Sequence, residues 1–186
     1  MNKLQINLII FFLLFGVTTI PNAEEDTPGE GAVAPDFQIT QMDGTTFKLS
    51  DFKGEKPVYL IFWNTWCTFC MKKIPHLQRT YQEFNKDIQV IAINTSLKDS
   101  FEQASEFKQR FAIEYPLAFD HGKKVTDLYG VWGTPTEFII DINGTILHRD
   151  NVPLDITNHL EKWRSSENIE VVAKPNTSCQ QNLKTC

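Results

Sequence analysis

The stretch from Val58 to Phe84 constrains the fold more than any other part of the chain. An apolar run, Val58-Tyr59-Leu60-Ile61-Phe62, leads into Trp63-Asn64-Thr65-Trp66-Cys67-Thr68-Phe69-Cys70 and then into Met71 to Phe84. The run is continuous rather than alternating, which predicts a strand buried on both faces. Met71 to Phe84 predicts a helix, with Leu77, Tyr81 and Phe84 at helical spacing. Pro75 removes one backbone hydrogen bond and is expected to kink it. The Cys-x-x-Cys therefore falls where a buried strand hands over to a helix. The first cysteine then sits at the helix N-terminus, where unpaired N–H groups and the helix dipole favour a thiolate. The second lies one turn on, close enough to close a disulfide.

Two other uses of such a pair fit less well. A zinc site needs two more ligands, and His76, His121, His148 and His159 are scattered without ligand spacing. No metal is therefore expected. A structural disulfide is rarely placed where the first sulfur is activated and reachable. A redox pair is the better reading.

The 186 residues suit one domain with extensions, and 41% apolar content is enough for a core. Eighteen basic against 23 acidic residues give a net charge of −5. That balance leaves no electrostatic footprint for nucleic acid.

Residues 1–23 read as a targeting segment. Lys3 precedes a mostly apolar run from Leu8 to Ile20, within signal-peptide length and short for a membrane span. Ala23 is a small residue suited to cleavage, while Pro21 departs from the small-x-small pattern. A cleaved signal peptide and a retained N-terminal membrane anchor both stay open, and both place the rest of the chain outside the cytoplasm. Residues 24–34, acidic and carrying Pro28, Gly29 and Gly31, read as a flexible linker.

From Pro35 the pattern becomes that of a folded domain. Phe37 to Thr40 and Thr45 to Leu49 flank Asp43-Gly44, a hairpin signal. Ile88 to Ile93 predicts a second buried strand. Ser100 caps a helix to Phe111, with Gln103 placed for a capping box. A short strand is expected at Pro116 to Phe119 and a short helix at Lys123 to Tyr129. A second hairpin is expected across Asn143-Gly144, between Glu137–Asp141 and Thr145–His148, and a last helix at Leu154 to Trp163. The order predicts an α/β fold, a mixed central sheet flanked by helices on both faces, with an N-terminal β-hairpin in front.

Three segments carry a family resemblance. They are Leu49-Ser50-Asp51-Phe52-Lys53-Gly54 after the hairpin; Phe62 to Cys70 with Pro75 five residues on; and Gly130-Val131-Trp132-Gly133-Thr134-Pro135-Thr136-Glu137-Phe138-Ile139-Ile140-Asp141. Together they resemble the thioredoxin superfamily, and within it the TlpA/ResA/DsbE-like branch of extracytoplasmic thiol–disulfide oxidoreductases. The match covers about residues 33 to 164, so residues 35–165 are expected to form a thioredoxin-like domain.

The resemblance implies a cis Thr134–Pro135 peptide packed against the Cys67–Cys70 pair, with Thr134 and Trp66 meeting an extended substrate. Pro135 has the plainer reading of a loop proline opening a strand. The resemblance also implies that Cys67 is the exposed thiolate that attacks a substrate disulfide and Cys70 the cysteine that resolves it. No organic cofactor is needed. The implied substrates are exported dithiol or disulfide proteins, most simply reduced as in cytochrome c maturation. The implied electron donor is a membrane thiol–disulfide protein of the DsbD/CcdA type.

The chain also departs from that family. Thr68-Phe69 replaces the common proline before the second cysteine. Ile61 stands where thioredoxin has a buried acid, and Lys73 where ResA-like members carry a glutamate. A lysine close to the pair would lower a thiol pKa and make the protein more oxidising, an oxidant or isomerase. Glu137 is a substitute proton acceptor if it faces the pair, and otherwise a polar strand residue. A peroxiredoxin-like peroxidase is a further alternative, but it needs Thr or Ser three residues before the reactive cysteine, and Asn64 occupies that place. Cys179 and Cys186, in a polar tail spanning residues 166–186, are expected to bridge each other in an oxidising compartment, with an electron relay to the active pair as the alternative.

Overall fold

The computed structural model describes residues 27–165 apart from 151 and 154. The targeting segment and the Cys179/Cys186 tail lie outside the described residues. The chain opens with an antiparallel hairpin, β1 (Gln38–Thr40) and β2 (Thr46–Lys48), followed by a 3-10 turn at Leu49–Phe52. Then come β3 (Val58–Trp63), α1 (Thr68–Phe84), β4 (Gln89–Asn94), α2 (Phe101–Arg110) and β5 (Leu117–Phe119). The chain continues with α3 (Lys124–Leu128), β6 (Thr136–Ile140), β7 (Ile146–Arg149) and α4 (Thr157–Arg164).

Five strands form one sheet in the order β5-β4-β3-β6-β7. β3 pairs parallel with β4 and antiparallel with β6, so the sheet is mixed, as expected. All six residues of β3 are buried because both faces of the sheet are covered. One face carries α1, α2 and α4, through Ile74, Leu77, Phe107, Leu160 and Trp163 packed on Tyr59, Ile61 and Ile139. The other carries the hairpin, the 3-10 turn and α3, through Ile39, Phe47, Leu49 and Val125 packed on Leu60, Phe62 and Phe138. Alternation along β3 sends odd-numbered side chains to the first face and even-numbered ones to the second.

α1 starts at Thr68, three residues before the expected Met71, and continues through Pro75 to Phe84. The capping box on α2 forms as expected: Ser100 Oγ accepts from Gln103 N–H, and Gln103 Oε1 accepts from Ser100 N–H. Residues 31–34, part of the expected linker, lie along the edge strand β7. Gly31 N–H donates to Ile146 O at 2.8 Å, Ile146 N–H to Ala32 O at 2.9 Å and Ala34 N–H to Gly144 O at 2.8 Å. An edge strand offers unpaired backbone groups, and this segment covers them.

Candidate active site

The site is assembled where β3 ends. Asn64 and Thr65 leave the sheet and are held by Asp99, from the loop before α2. Asp99 accepts from Thr65 N–H at 2.8 Å, Asn64 Nδ2 at 3.1 Å and Asn94 Nδ2 at 2.7 Å. Trp66 is fixed by its indole N–H, which donates to Leu97 O at 3.0 Å. The backbone is thereby aimed into α1 with Cys67 as its N-cap.

Cys67 Sγ accepts from Cys70 N–H at 3.1 Å, so the sulfur meets an unpaired N–H of the first turn. Cys67 and Cys70 are joined as a disulfide, S–S 2.07 Å with Cα atoms 5.2 Å apart. Each cysteine is only 4% exposed, because the helix N-terminus is sunk into the core cluster with Trp63 and Ile74. The exposed Cys67 expected from sequence is thus replaced by one with limited access. Around it stand side chains that are open to solvent: Trp66 at 50%, Phe69 at 69% and Trp132 at 93%.

Thr134–Pro135 is a cis peptide. Its loop is tied to the cysteine loop through Asn64, whose Oδ1 accepts from Thr134 Oγ1 at 3.3 Å and from Thr95 Oγ1 at 2.9 Å. Asn64 is fully buried, and its amide nitrogen is engaged by Asp99 and by Leu97 O. A cleft of about 160 Å³ opens between the two loops, walled by Trp66, Leu97, Val131 and Trp132 and floored by Thr95, Thr126 and Thr134.

Glu137 lies on β6 opposite Ile61, on the face that carries α1, and is 3% exposed. Its Oε2 accepts from Lys73 Nζ at 2.7 Å, and its Oε1 accepts from the Tyr59 hydroxyl. Burial, reinforced by the Glu137 charge, pushes the Tyr59 hydroxyl far above its ordinary pKa, so Tyr59 stays a donor. His76, one turn past Lys73 on α1, is held below the usual imidazole range, first by burial and then by Lys73.

Asp99, Tyr59 and Trp132 were not singled out by sequence reasoning. Asp99 reads there as a turn residue before an N-cap, and Tyr59 as one more apolar strand position. Trp132 had a signal, a large aromatic three residues before Pro135.

Comparison with known proteins agrees with this geometry. A family model described as the AhpC/TSA family matches residues 31–149. The chain is 31% identical over 154 residues to the thiol-disulfide oxidoreductase ResA of Bacillus anthracis, covering 80% of this chain and 87% of that one. A solved structure from Chlorobium tepidum, described as a thiol:disulfide interchange protein DsbE, is 34% identical with a TM-score of 0.62, covering 73% of this chain and 95% of that one. The exposed lipoprotein thioredoxin of Streptococcus pneumoniae is 29% identical with a TM-score of 0.57, covering 69% and 99%.

Proposed function

The chain belongs to the AhpC/TSA family, and from that premise we propose that it reduces disulfides in exported proteins outside the cytoplasm. It is a thiol–disulfide oxidoreductase of the ResA/DsbE type with a thioredoxin fold. The observation that carries the reading is the Cys67–Cys70 disulfide capping α1 beside the cis Thr134–Pro135 loop.

In the reduced protein, the Cys67 thiolate attacks one sulfur of a substrate disulfide. A mixed disulfide forms and one substrate thiolate leaves. The Cys70 thiolate then attacks Cys67 Sγ, the mixed disulfide breaks and the second substrate thiolate leaves. Two electrons pass to the substrate, whose thiolates take up protons from solvent, and the Cys67–Cys70 disulfide remains. A membrane dithiol donor of the DsbD/CcdA type returns it to the reduced form. Trp66 and Thr134 flank the cleft in which an extended substrate segment would lie.

The reductase direction is supported by the partner of Lys73. A lone lysine one turn from Cys70 would favour the thiolate and an oxidising pair. Here Glu137 matches that charge. A location outside the cytoplasm is supported by the apolar N-terminal segment and by the likeness to an exposed lipoprotein. Apocytochrome c is a fitting substrate class on the ResA likeness. The peroxidase alternative loses support, because the place of its hydroxyl donor is held by Asn64, with every polar atom of the side chain engaged.

The test is the reduction potential of the pair, measured by equilibration with glutathione. The expected value is strongly reducing, near the roughly −270 mV of thioredoxin. A value near the roughly −120 mV of DsbA overturns the reductase reading in favour of an oxidant or isomerase.

A further inference from the structure

One buried charge cluster has no role in the exchange steps above. Glu137 sits in β6 among Phe138, Ile139 and Ile140, and its cross-strand partner is Ile61. Both carboxylate oxygens are occupied, one by Lys73 and one by Tyr59. Glu137 is buried while the Lys73 side chain stays 24% exposed. Taking a carboxylate out of water to meet a lysine is a poor device for stability alone, since an apolar residue of similar volume holds a sheet as well or better. The residues that follow Glu137 in β6, Phe138 to Ile140, are of that apolar kind. The charge therefore calls for a reason beyond folding, and its position offers one. Lys73 is three residues after Cys70 on α1, which places the two side chains on one helix face. Glu137, Tyr59 and Ile61 share the sheet face on which that helix packs.

The geometry points to Glu137 as a positioning residue that holds Lys73 and cancels its charge beneath Cys70, keeping the pair reducing; this rests on the exchange reading above. The other titratable groups around Glu137 are His76 and Arg79 on α1, Tyr115 before β5, and Asp150 after β7. Asp150 N–H donates to Glu137 O at 2.8 Å, and the Asp150 carboxylate Oδ1 accepts from Glu137 N–H at 3.4 Å. Neither His76 nor Asp150 supplies a second donor to the carboxylate. Removing Lys73 therefore leaves Tyr59 as its only partner among the described residues.

Opposite charges make opposite predictions. Glu137→Gln keeps an acceptor for Tyr59 but leaves the Lys73 ammonium unmatched. The reduced protein is then alkylated by iodoacetamide about tenfold faster at fixed neutral pH. Its equilibrium with glutathione moves about tenfold toward the dithiol, roughly 30 mV more oxidising. Lys73→Met leaves the carboxylate unmatched, and both readouts move the other way. The Lys73→Met, Glu137→Gln double variant carries no buried charge at this place, so it avoids unfolding by an unpaired one. It returns both readouts to within about twofold of the wild type.

A merely structural pair gives a different result. Both single variants then melt earlier while their potentials stay put or move the same way, and that outcome overturns the inference. A double variant displaced tenfold from the wild type overturns it as well. Should the wild-type pair fail to exchange with glutathione at all, the oxidoreductase reading itself falls, a result distinct from unshifted variants.

Discussion

Asp99 accepts the backbone N–H of Thr65 at 2.8 Å across 34 residues of sequence, and this bond clamps the loop that presents Cys67. The same carboxylate takes the amides of Asn64 and Asn94. One side chain thus joins the ends of β3 and β4 under the disulfide. The fold positions the redox pair through this clamp as much as through the helix that carries Cys70.

Asp99→Ala removes the acceptor from the Thr65 N–H and hydroxyl and from the buried amides of Asn64 and Asn94. Each orphaned buried donor costs about 1–3 kcal/mol, with partial relief from water. The expected loss is roughly 3 kcal/mol by urea unfolding. Disulfide-reduction kcat/KM is expected to fall about tenfold, since misplacing reacting atoms by a fraction of an ångström is costly. Unchanged stability and activity together would remove Asp99 from the site.

Cys70→Ser is expected to trap a mixed disulfide between Cys67 and a substrate protein, seen as a heavier band on non-reducing gels that dithiothreitol dissolves. Cys67→Ser is expected to trap nothing, because the remaining sulfur is the resolving one. The reverse pattern would exchange the roles of the two cysteines.

Trp132 is 93% exposed and forms one wall of the cleft. Trp132→Ala is therefore expected to leave stability within about 0.5 kcal/mol. Turnover of a small aromatic disulfide is expected to be unchanged, while KM for a protein disulfide rises about tenfold, as for loss of an exposed aromatic anchor. Equal effects on both substrates would argue that Trp132 acts on the cysteines and not on the substrate.

Acidification is expected to weaken the fold through two histidines. Burial is the leading cause that holds His76 and His148 below their ordinary value of 6.5. As pH falls, the unfolded chain therefore takes up protons before the folded one does. Their contribution is complete above about pH 6.5 and is lost as pH falls through the lower folded values. His76 Nε2 is buried with no hydrogen-bond partner among the described residues, so a proton there is poorly received. Urea midpoints are expected to drop between about pH 7.5 and pH 5.5. The drop should shrink in a His76→Gln, His148→Gln variant. An equal drop in both proteins would assign the effect to other groups.

Gly130 takes a positive φ of 56°, and a Cβ there would lie 2.5 Å from Thr27 Cγ2. Gly130→Ala is expected to destabilise by about 1–2 kcal/mol from the left-handed backbone alone. Displacement of Thr27 adds to this, and the melting temperature falls by several degrees. The site cysteines should keep their potential in this variant.

Much of the site was legible in the chain because its signals are local. A continuous apolar run, a Cys-x-x-Cys and a helical pattern place Cys67 at an N-cap without knowledge of any distant residue. The Asp43-Gly44 and Asn143-Gly144 turns mark both hairpins because their backbone requirements fall within two residues. Ser100 and Gln103 specify the start of α2 in the same way.

Burial and partnership were not legible, because they depend on what other segments bring. Cys67 looked open and is 4% exposed, since its helix start is pressed into a core that includes Trp63. Residues 31–34 looked like linker and cover the β7 edge, because unpaired strand groups accept any extended neighbour in register. By itself the sequence determined the redox chemistry, the strand-to-helix junction that activates it and the order of elements. Only the tertiary structure decided that the charge of Lys73 is met by Glu137 from 64 residues away. Charge pairing acts through space over a few ångströms, and which residues stand that close is set by the β3–β6 register, which turns Glu137 to the helix-covered face, and by the packing of α1 on that face.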